Sequence, residues 1–277
     1  MKPLIKWSGG KRNELRILKR FYPQENQYNL FIEPFCGGAA AFFDLEPKRA
    51  IISDIHSDLI NFYKTIKNNG AKSIYDLMRQ YENDEKIYYF IRDEYEAKTN
   101  IEKAFKFYYL RKTCYRGMLR YNSSGGFNVP FGRYKTFNCD ELLDPKYTEL
   151  LKRTIIFSKD FREIFKIYDS SKTFFWLDPP YDCVFKNYGF MDFDRKKHED
   201  LANVVKNAKG FCLMVISATP FIRELYDGYI RHEYHKNYAF KIHSGRIGKE
   251  INKMHLVITN YDVNETTPVI LRQTQLV

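Results

Sequence analysis

Phe31-Ile32-Glu33-Pro34-Phe35-Cys36-Gly37-Gly38-Ala39-Ala40-Ala41-Phe42-Phe43 is an apolar run, a glycine turn and a helix of small and aromatic residues, one after another. Leu30-Phe31-Ile32 before Glu33 reads as a buried strand, and Ala39 to Leu45 as the helix behind it. The paired glycines let a ligand come close to the backbone. Their spacing is not GxGxxG, so a dinucleotide pyrophosphate is not indicated. Ala50-Ile51-Ile52 is the next apolar run. Asp54 closes it, about 20 residues beyond Glu33, where the dinucleotide-binding plan puts the acidic group that takes a ribose diol.

The same pattern continues outward. Thr173-Phe174-Phe175-Trp176-Leu177 before Asp178 reads as another buried parallel strand, followed by Phe211-Cys212-Leu213-Met214-Val215-Ile216 before Ser217. Met254 to Thr259 is a fifth, and Thr154-Ile155-Ile156-Phe157 before Asp160 a sixth. Helical patterns at Ser57 to Lys67 and Lys196 to Ala208 lie between them. Strands alternating with helices predict an open α/β sheet. Several of these strands end in a carboxylate or hydroxyl, and open α/β sheets bind ligands at strand carboxyl ends. A nucleoside-bearing cofactor without a pyrophosphate clamp fits, and S-adenosylmethionine is the obvious one.

Composition bounds the remaining classes. The chain has 277 residues, 44% of them hydrophobic, which excludes global disorder. No apolar run approaches the ~20 residues of a membrane span, and no signal-peptide core is visible. Cys36, Cys114, Cys139, Cys183 and Cys212 are scattered without a CxxC pair, so neither a disulfide framework nor a metal site is expected, and a reducing, cytoplasmic setting is. The formal net charge of +11 suggests a polyanionic partner, although AT-rich codon bias also raises Lys, Tyr and Phe.

From about Asn68 to Asp140 the alternation lapses. Residues 101–140 carry eight Lys/Arg against two Asp/Glu, with ten aromatics interleaved. Cations neutralise phosphates while rings stack on bases, so this mixture suits nucleic acid. A solvated face over ordinary core aromatics is the alternative. Met118-Leu119-Arg120-Tyr121 and Phe127-Asn128-Val129 flank Asn122-Ser123-Ser124-Gly125-Gly126, which predicts a β-hairpin.

Asp178-Pro179-Pro180-Tyr181 carries the chemistry. Two prolines lack N–H groups and keep φ fixed, so the chain leaves the strand extended. The Asp178 carboxylate and the Pro179 carbonyl are then free to accept both hydrogens of an exocyclic amine, and Tyr181 offers a ring for a planar base. An Asp-initiated turn with spacer prolines is the plain alternative. Lys6-Trp7-Ser8-Gly9-Gly10-Lys11 lacks the GxxxxGK[ST] pattern of a phosphate loop.

These motifs occur in the order of the Dam-like, α-class (D12-type) DNA adenine-N6 methyltransferases, and the chain resembles that family over nearly its whole length. The hairpin, Tyr115 to Asn122 and Phe127 to Lys135, is especially similar, and Gly248-Lys249-Glu250 through Ile258-Thr259-Asn260-Tyr261 looks like the family's last segment. The resemblance implies a Rossmann-like methyltransferase sheet, residues 1–56 and 142–277, with residues 57–141 as an inserted helical and hairpin target-recognition domain.

It also implies roles. S-adenosylmethionine would be lined by Trp7, Lys11, Glu33, Phe35, Gly37, Asp54, Asp160 and Asp178, with Asp54 on the ribose and Asp160 on the adenine amino group. Asp178, Pro179, Pro180 and Tyr181 would hold a flipped adenine for direct displacement, with no metal. Arg120 would read a guanine, Lys6 and Met118 an outer base pair, and Pro130 would wedge the duplex beside Arg133. Asn122 and Tyr134 lie in the same DNA-binding segment. The family usually has Asn-Gly where this chain has Arg116-Gly117, so Arg116 strengthens backbone contact or shifts the target. The expected target is GATC in double-stranded DNA. A cognate restriction endonuclease is a possible functional partner, and a monomer or weak dimer is expected on DNA. The alternatives are an adenine methyltransferase with a different short target, an RNA- or protein-directed methyltransferase, and a non-catalytic sequence-specific DNA-binding protein on the same fold.

Overall fold

A computed structural model describes residues 1–122, 124–182, 193–238 and 251–263. Ser123, Cys183 and the Gly248-Lys249-Glu250 motif lie outside the described residues. The strands are β1 (Leu30–Glu33), β2 (Ala50–Ser53), β3 (Thr154–Phe157), β4 (Thr173–Leu177), β5 (Phe211–Ser217), β6 (Ile230–Tyr238) and β7 (Ile251–Thr259). They form one sheet in the order β3-β2-β1-β4-β5-β7-β6. The first five are parallel, whereas β7 runs antiparallel to β5 and to β6.

The strand order reverses between β1 and β4. From β1 the chain moves outward to β2 and β3, then returns to β4 on the other side of β1. A crevice opens at such a reversal, above the carboxyl ends of the two central strands. Glu33 ends β1 and Asp178 follows β4, so topology brings these carboxyl groups to the mouth of one crevice.

Alternate residues of each central strand feed opposite faces of the sheet. Phe31, Ile52, Phe174 and Trp176 join one apolar cluster, and Ile32, Ile51, Phe175 and Leu177 the other. Burial on both faces explains the continuous apolar runs. Helix Phe161–Tyr168 and helix Arg195–Asn207 cover the second face, where the Phe165 and Phe175 rings stack at 4.0 Å. Helix Ser57–Lys67 and helix Asn100–Thr113 contribute to the first cluster together with the sheet. Thr99 and Glu102 form a reciprocal capping box at the start of helix Asn100–Thr113.

Two expectations change. Met254 to Thr259 lies in a strand, but an antiparallel one that extends back to Ile251. β6 was not anticipated. It is an edge strand, Ile230-Arg231-His232-Glu233-Tyr234-His235-Lys236, of which only Tyr234 is buried, so it carries no apolar run.

The hairpin arms approach each other through isolated bridges, Cys114 to Phe131 and Tyr121 to Phe127, rather than a continuous ladder. Tyr115 N–H donates to Pro130 O at 2.8 Å and Asn128 N–H to Arg120 O at 3.0 Å. Arg116 and Gly117 both have positive φ, and Pro130 has no N–H to give, so regular pairing cannot run through.

Candidate active site

Trp7 sits on the glycine turn. Gly37 has φ +44°, and a Cβ there would stand 2.6 Å from Trp7 Cδ1; one on Gly38 would stand 2.9 Å from Trp7 Cβ. The turn is fixed from its other side by Asp54, whose Oδ2 accepts from Gly37 N–H at 2.9 Å while Oδ1 accepts from His56 N–H at 3.0 Å. Tyr63 O–H closes the arrangement on Gly37 O at 2.9 Å. Ala39, also at positive φ, starts the helix Ala40–Leu45, and its Phe42 N–H donates to Glu33 at 3.1 Å.

Lys11 is buried, and its ammonium donates to Asp178 Oδ1 at 2.5 Å and to Gly9 O at 2.9 Å. It also lies 5.0 Å from the centre of the Tyr181 ring. Beyond Tyr181, Asp182 accepts from Thr219 O–H at 2.9 Å, which ties the exit of the Pro-Pro corner to the start of helix Pro220–Leu225.

A cleft of about 710 Å³ joins these groups, bounded by Trp7, Gly37, Asp54, Asp178 and Tyr181. The Phe35 ring makes part of its apolar wall, tilted against Phe161 at 5.4 Å and edge-on to Phe193 at 5.7 Å. Burial pushes the carboxyls of Glu33, Asp54 and Asp178 above their ordinary range. Lys11 opposes this at Asp178, and the Phe42 N–H opposes it at Glu33, where Asp178 and Asp54 push up further. Glu33, Asp54 and Asp178 thus line one cleft, with the Lys11 ammonium bonded to Asp178, and a cationic group brought against these three carboxyls would offset the cost of their burial.

Asp160 lines the cleft but also caps helix Phe161–Tyr168 and accepts from Arg162 Nε at 2.8 Å. Burial raises its carboxyl, and the Arg162 bonds outweigh that and hold it low.

The structure brings Lys6 to the hairpin, its ammonium 4.7 Å from the Tyr134 ring centre. Arg120 is exposed and folded back on Asn128, donating to Oδ1 and to the carbonyl at 2.8 Å each. Asn122 uses its side-chain oxygen within the loop, accepting from Ser124 and Gly126 N–H. Arg116 and Arg133 both have positive φ; Arg133 is exposed, 3.6 Å from Glu85. Pro130 is exposed and Met118 half-buried.

Not every cation of this segment faces outward. Arg111 is 1% exposed and donates to Lys6 O at 2.5 Å and to Gly117 O and Met118 O at 2.6 Å each. It staples the N-terminal strip to the hairpin while lying 5.2 Å over the Trp7 ring. Lys112 pairs with Glu141, and Lys106 donates to Tyr95 O at 2.8 Å. The exposed footprint is therefore narrower than the charge count implies. Arg111 was missed because a basic residue at this spacing looks the same whether it caps carbonyls or faces phosphate. His56, whose Nε2 is 2.6 Å from Tyr121 O–H, joins the end of β2 to the hairpin and was missed too.

The family model for D12 class N6 adenine-specific DNA methyltransferases matches residues 7–241. A Type II methyltransferase, M.CviBI of Paramecium bursaria Chlorella virus NC1A, is 51% identical over 94% of this chain and 100% of its own length. The Type II methyltransferase M.MjaIII of Methanocaldococcus jannaschii is 33% identical over 83% of this chain and 89% of its own. A DNA adenine methylase of Haemophilus influenzae is 32% identical over 82% of this chain and 83% of its own. Among the described residues no helix is long and apolar enough to cross a membrane. With a seven-stranded sheet whose order reverses at a carboxylate-lined cleft, and relatives of this kind along most of its length, the chain belongs to the D12 class N6 adenine-specific DNA methyltransferases.

Proposed function

We propose that the protein methylates N6 of an adenine flipped out of duplex DNA within GATC, by direct displacement, taking the methyl group from S-adenosylmethionine as family membership implies. The observation that carries this is the corner after β4. There a half-buried carboxylate, a buried proline carbonyl position and an aromatic ring face a cleft that the Glu33 and Asp54 carboxyls also line.

The lining fits the methyl donor. When bound, that cofactor supplies a methyl group made electrophilic by a sulfonium. Glu33 and Asp178 would answer its positive charge, Asp54 its ribose, Phe35 and Trp7 its flat base, and Gly37 leaves the backbone approachable. Asp160 would take the adenine amino group from a position already shared with Arg162. Lys11 orients Asp178 and would give it up in part as a substrate amine arrives. Asp178 and Pro179 accept the two N6 hydrogens, Pro180 holds the corner extended, and Tyr181 stacks on the base. Methyl transfer to N6 would break the methyl carbon–sulfur bond, leaving a neutral thioether, and Asp178 would steady the positive charge arriving on N6 until one N6 proton leaves to that carboxylate or to water. Alignment and placed acceptors are the main contribution. Extracting the base costs a few kcal/mol of unstacking.

Residues 57–141 are the proposed DNA-reading unit. Arg120 would leave Asn128 for a guanine edge, a contact worth about 1–3 kcal/mol. Lys6 and Met118 would face an outer base pair, Pro130 the wedge position. Arg133, Tyr134 and Asn122 would steady the backbone, Asn122 chiefly by shaping the loop. The proposed partner is duplex DNA, with a cognate endonuclease as a functional one, and the enzyme acts as a monomer or weak dimer.

A second reading, a different short target, is favoured by Arg116. Held at positive φ beside Met118 and Arg120, it adds a cation where the family usually has a neutral amide. One experiment separates the two: tritium transfer to duplexes carrying GATC, its single-position variants, N6-methylated GATC, and sites with one base inserted between the GA and TC halves. Labelling of GATC alone supports the first reading. Labelling of another member alone supports the second, and no labelling of any adenine refutes both.

A further inference from the structure

Behind the Asp178-Pro179-Pro180-Tyr181 corner lies a carboxylate that the reaction as described does not use. Glu14 is 5% exposed. Its Oε2 accepts from Tyr234 O–H at 2.5 Å and from His255 Nδ1 at 2.9 Å, and its Oε1 accepts from Lys236. Tyr234 on β6 pairs directly with His255 on β7, and Lys236 is two residues along the same strand, so the two strands present all three donors to one point. Helix capping does not explain the residue, because the side chain makes no cap bond to the short helix Leu15–Leu18.

Both ends of the cluster reach Tyr181. The His255 ring meets the Tyr181 ring edge-on at 5.3 Å and 80°. From the other side comes Lys11, in the same turn as Glu14, whose N–H donates to Lys11 O at 2.8 Å. Lys11 bonds Asp178 and lies over Tyr181.

We propose that Glu14 is a positioning residue for methyl transfer. It sets the plane of Tyr181 through His255, and it offsets the charges of Lys11 and Lys236, which would otherwise oppose the positive charge developing on N6 beside Asp178. Asp178, Lys11, Glu14 and Lys236 together are neutral; without Glu14 they carry one excess positive charge beside the atom that becomes positive. The positive charge passes from sulfonium to N6 with its total unchanged, so an excess charge on the N6 side of the cleft raises the barrier more than it weakens cofactor binding. This inference rests on the proposed role of the Asp178 corner.

The test is Glu14→Gln, nearly isosteric, measured beside Asp178→Ala on the full chain. Single-turnover transfer should fall about 10- to 100-fold, the range expected when a reacting group is displaced without leaving the site. Dissociation constants for S-adenosylmethionine and for duplex should stay within about threefold of the parent. With 2-aminopurine at the target position, fluorescence of the flipped base should rise as its stacking on Tyr181 loosens. Tyr234→Phe, which removes a hydrogen bond but no charge, should cost less than Glu14→Gln. A transfer rate unchanged within about twofold overturns the proposal, as does a rate loss matched by an equal loss of cofactor affinity. Should Glu14→Gln fail to fold, His255→Asn decides by the same criteria, since it keeps a donor for Glu14 and removes the ring beneath Tyr181. An active Asp178→Ala would instead indict the reading of the site itself.

Discussion

Gly37→Ala tests the wedge of Trp7 into the glycine turn. Two costs can be worked from the structure. The backbone at φ +44° puts an L side chain in the left-handed region, at about 1–2 kcal/mol. The added Cβ would also stand 2.6 Å from the indole, and forced overpacking of this kind costs about 1–3 kcal/mol. Trp7 cannot simply swing aside, because Arg111 lies 5.2 Å over its ring and His56 meets it edge-on at 5.9 Å. The sum is about 2–5 kcal/mol, or roughly 5–15 °C in Tm for a domain of this size. Thermal unfolding without ligand, paired with calorimetric titration of S-adenosylmethionine, measures both the loss and its effect on the cleft. In a Trp7→Leu background the indole clash is gone, so the same substitution should cost only the backbone share. The coupling between the two sites should then be about 1–3 kcal/mol. A Gly37→Ala protein within about 0.5 kcal/mol of its parent, with no coupling to position 7, would refute the reasoning.

Glu33→Gln should stabilise the ligand-free protein at neutral pH and weaken cofactor binding. The Glu33 carboxyl is pushed above its value of 4.5 in the unfolded chain, so its cost appears as pH rises through that value and is absent below it; urea titrations at pH 4 and pH 7.5 check the difference. Glu14 has the opposite sign. Burial raises it, but its bonds to His255, Lys236 and Tyr234 and the charge of Lys11 prevail and bring it to about 2. Its contribution, roughly 3 kcal/mol, should be complete above pH 4.5 and be lost as pH falls toward 2, and Glu14→Gln should flatten that part of the acid-unfolding curve. Arg111→Ala leaves three carbonyls without their donor and should destabilise by about 3 kcal/mol or more, visible as a lowered urea midpoint. Arg120→Ala should lose about 1–3 kcal/mol of discrimination between target and single-base variants while retaining nonspecific binding; unchanged discrimination in competition assays would remove it as the base reader.

Much of the architecture was legible because the central strands are buried on both faces. Thr173–Leu177 falls where its apolar run predicts, and Ser57–Lys67 where its pattern does; the edge strand Thr154–Phe157, with Ile155 exposed, also lies where its apolar run predicts. What escaped was decided by long-range pairing. β6 holds an edge on which, of residues 230–236, Tyr234 alone is buried, and the antiparallel sense of β7 follows from its neighbours, not from its composition. The carboxylates of the cleft were legible because each ends a strand at the same edge of the sheet. Glu14 was not. It lies in a short N-terminal helical turn, and its donors come from residues more than 200 positions away in the chain. Arg111 illustrates the same limit: its three carbonyl partners belong to two separate segments, so only the folded chain reveals that its charge is spent internally.

The proposed chemistry turns on the Asp178 corner, which would accept and steady the reacting N6 amine. Single-turnover methyl transfer to a target duplex, with the enzyme first saturated with S-adenosylmethionine, tests it most directly when parent and Asp178→Ala are compared and the product nucleoside is identified. The parent should yield N6-methyladenine, and the variant should transfer at a rate at least about 10²–10³-fold lower, the loss expected when an acceptor for developing charge is removed. Transfer by Asp178→Ala within about tenfold of the parent, or a methyl group found on any other atom, would contradict it.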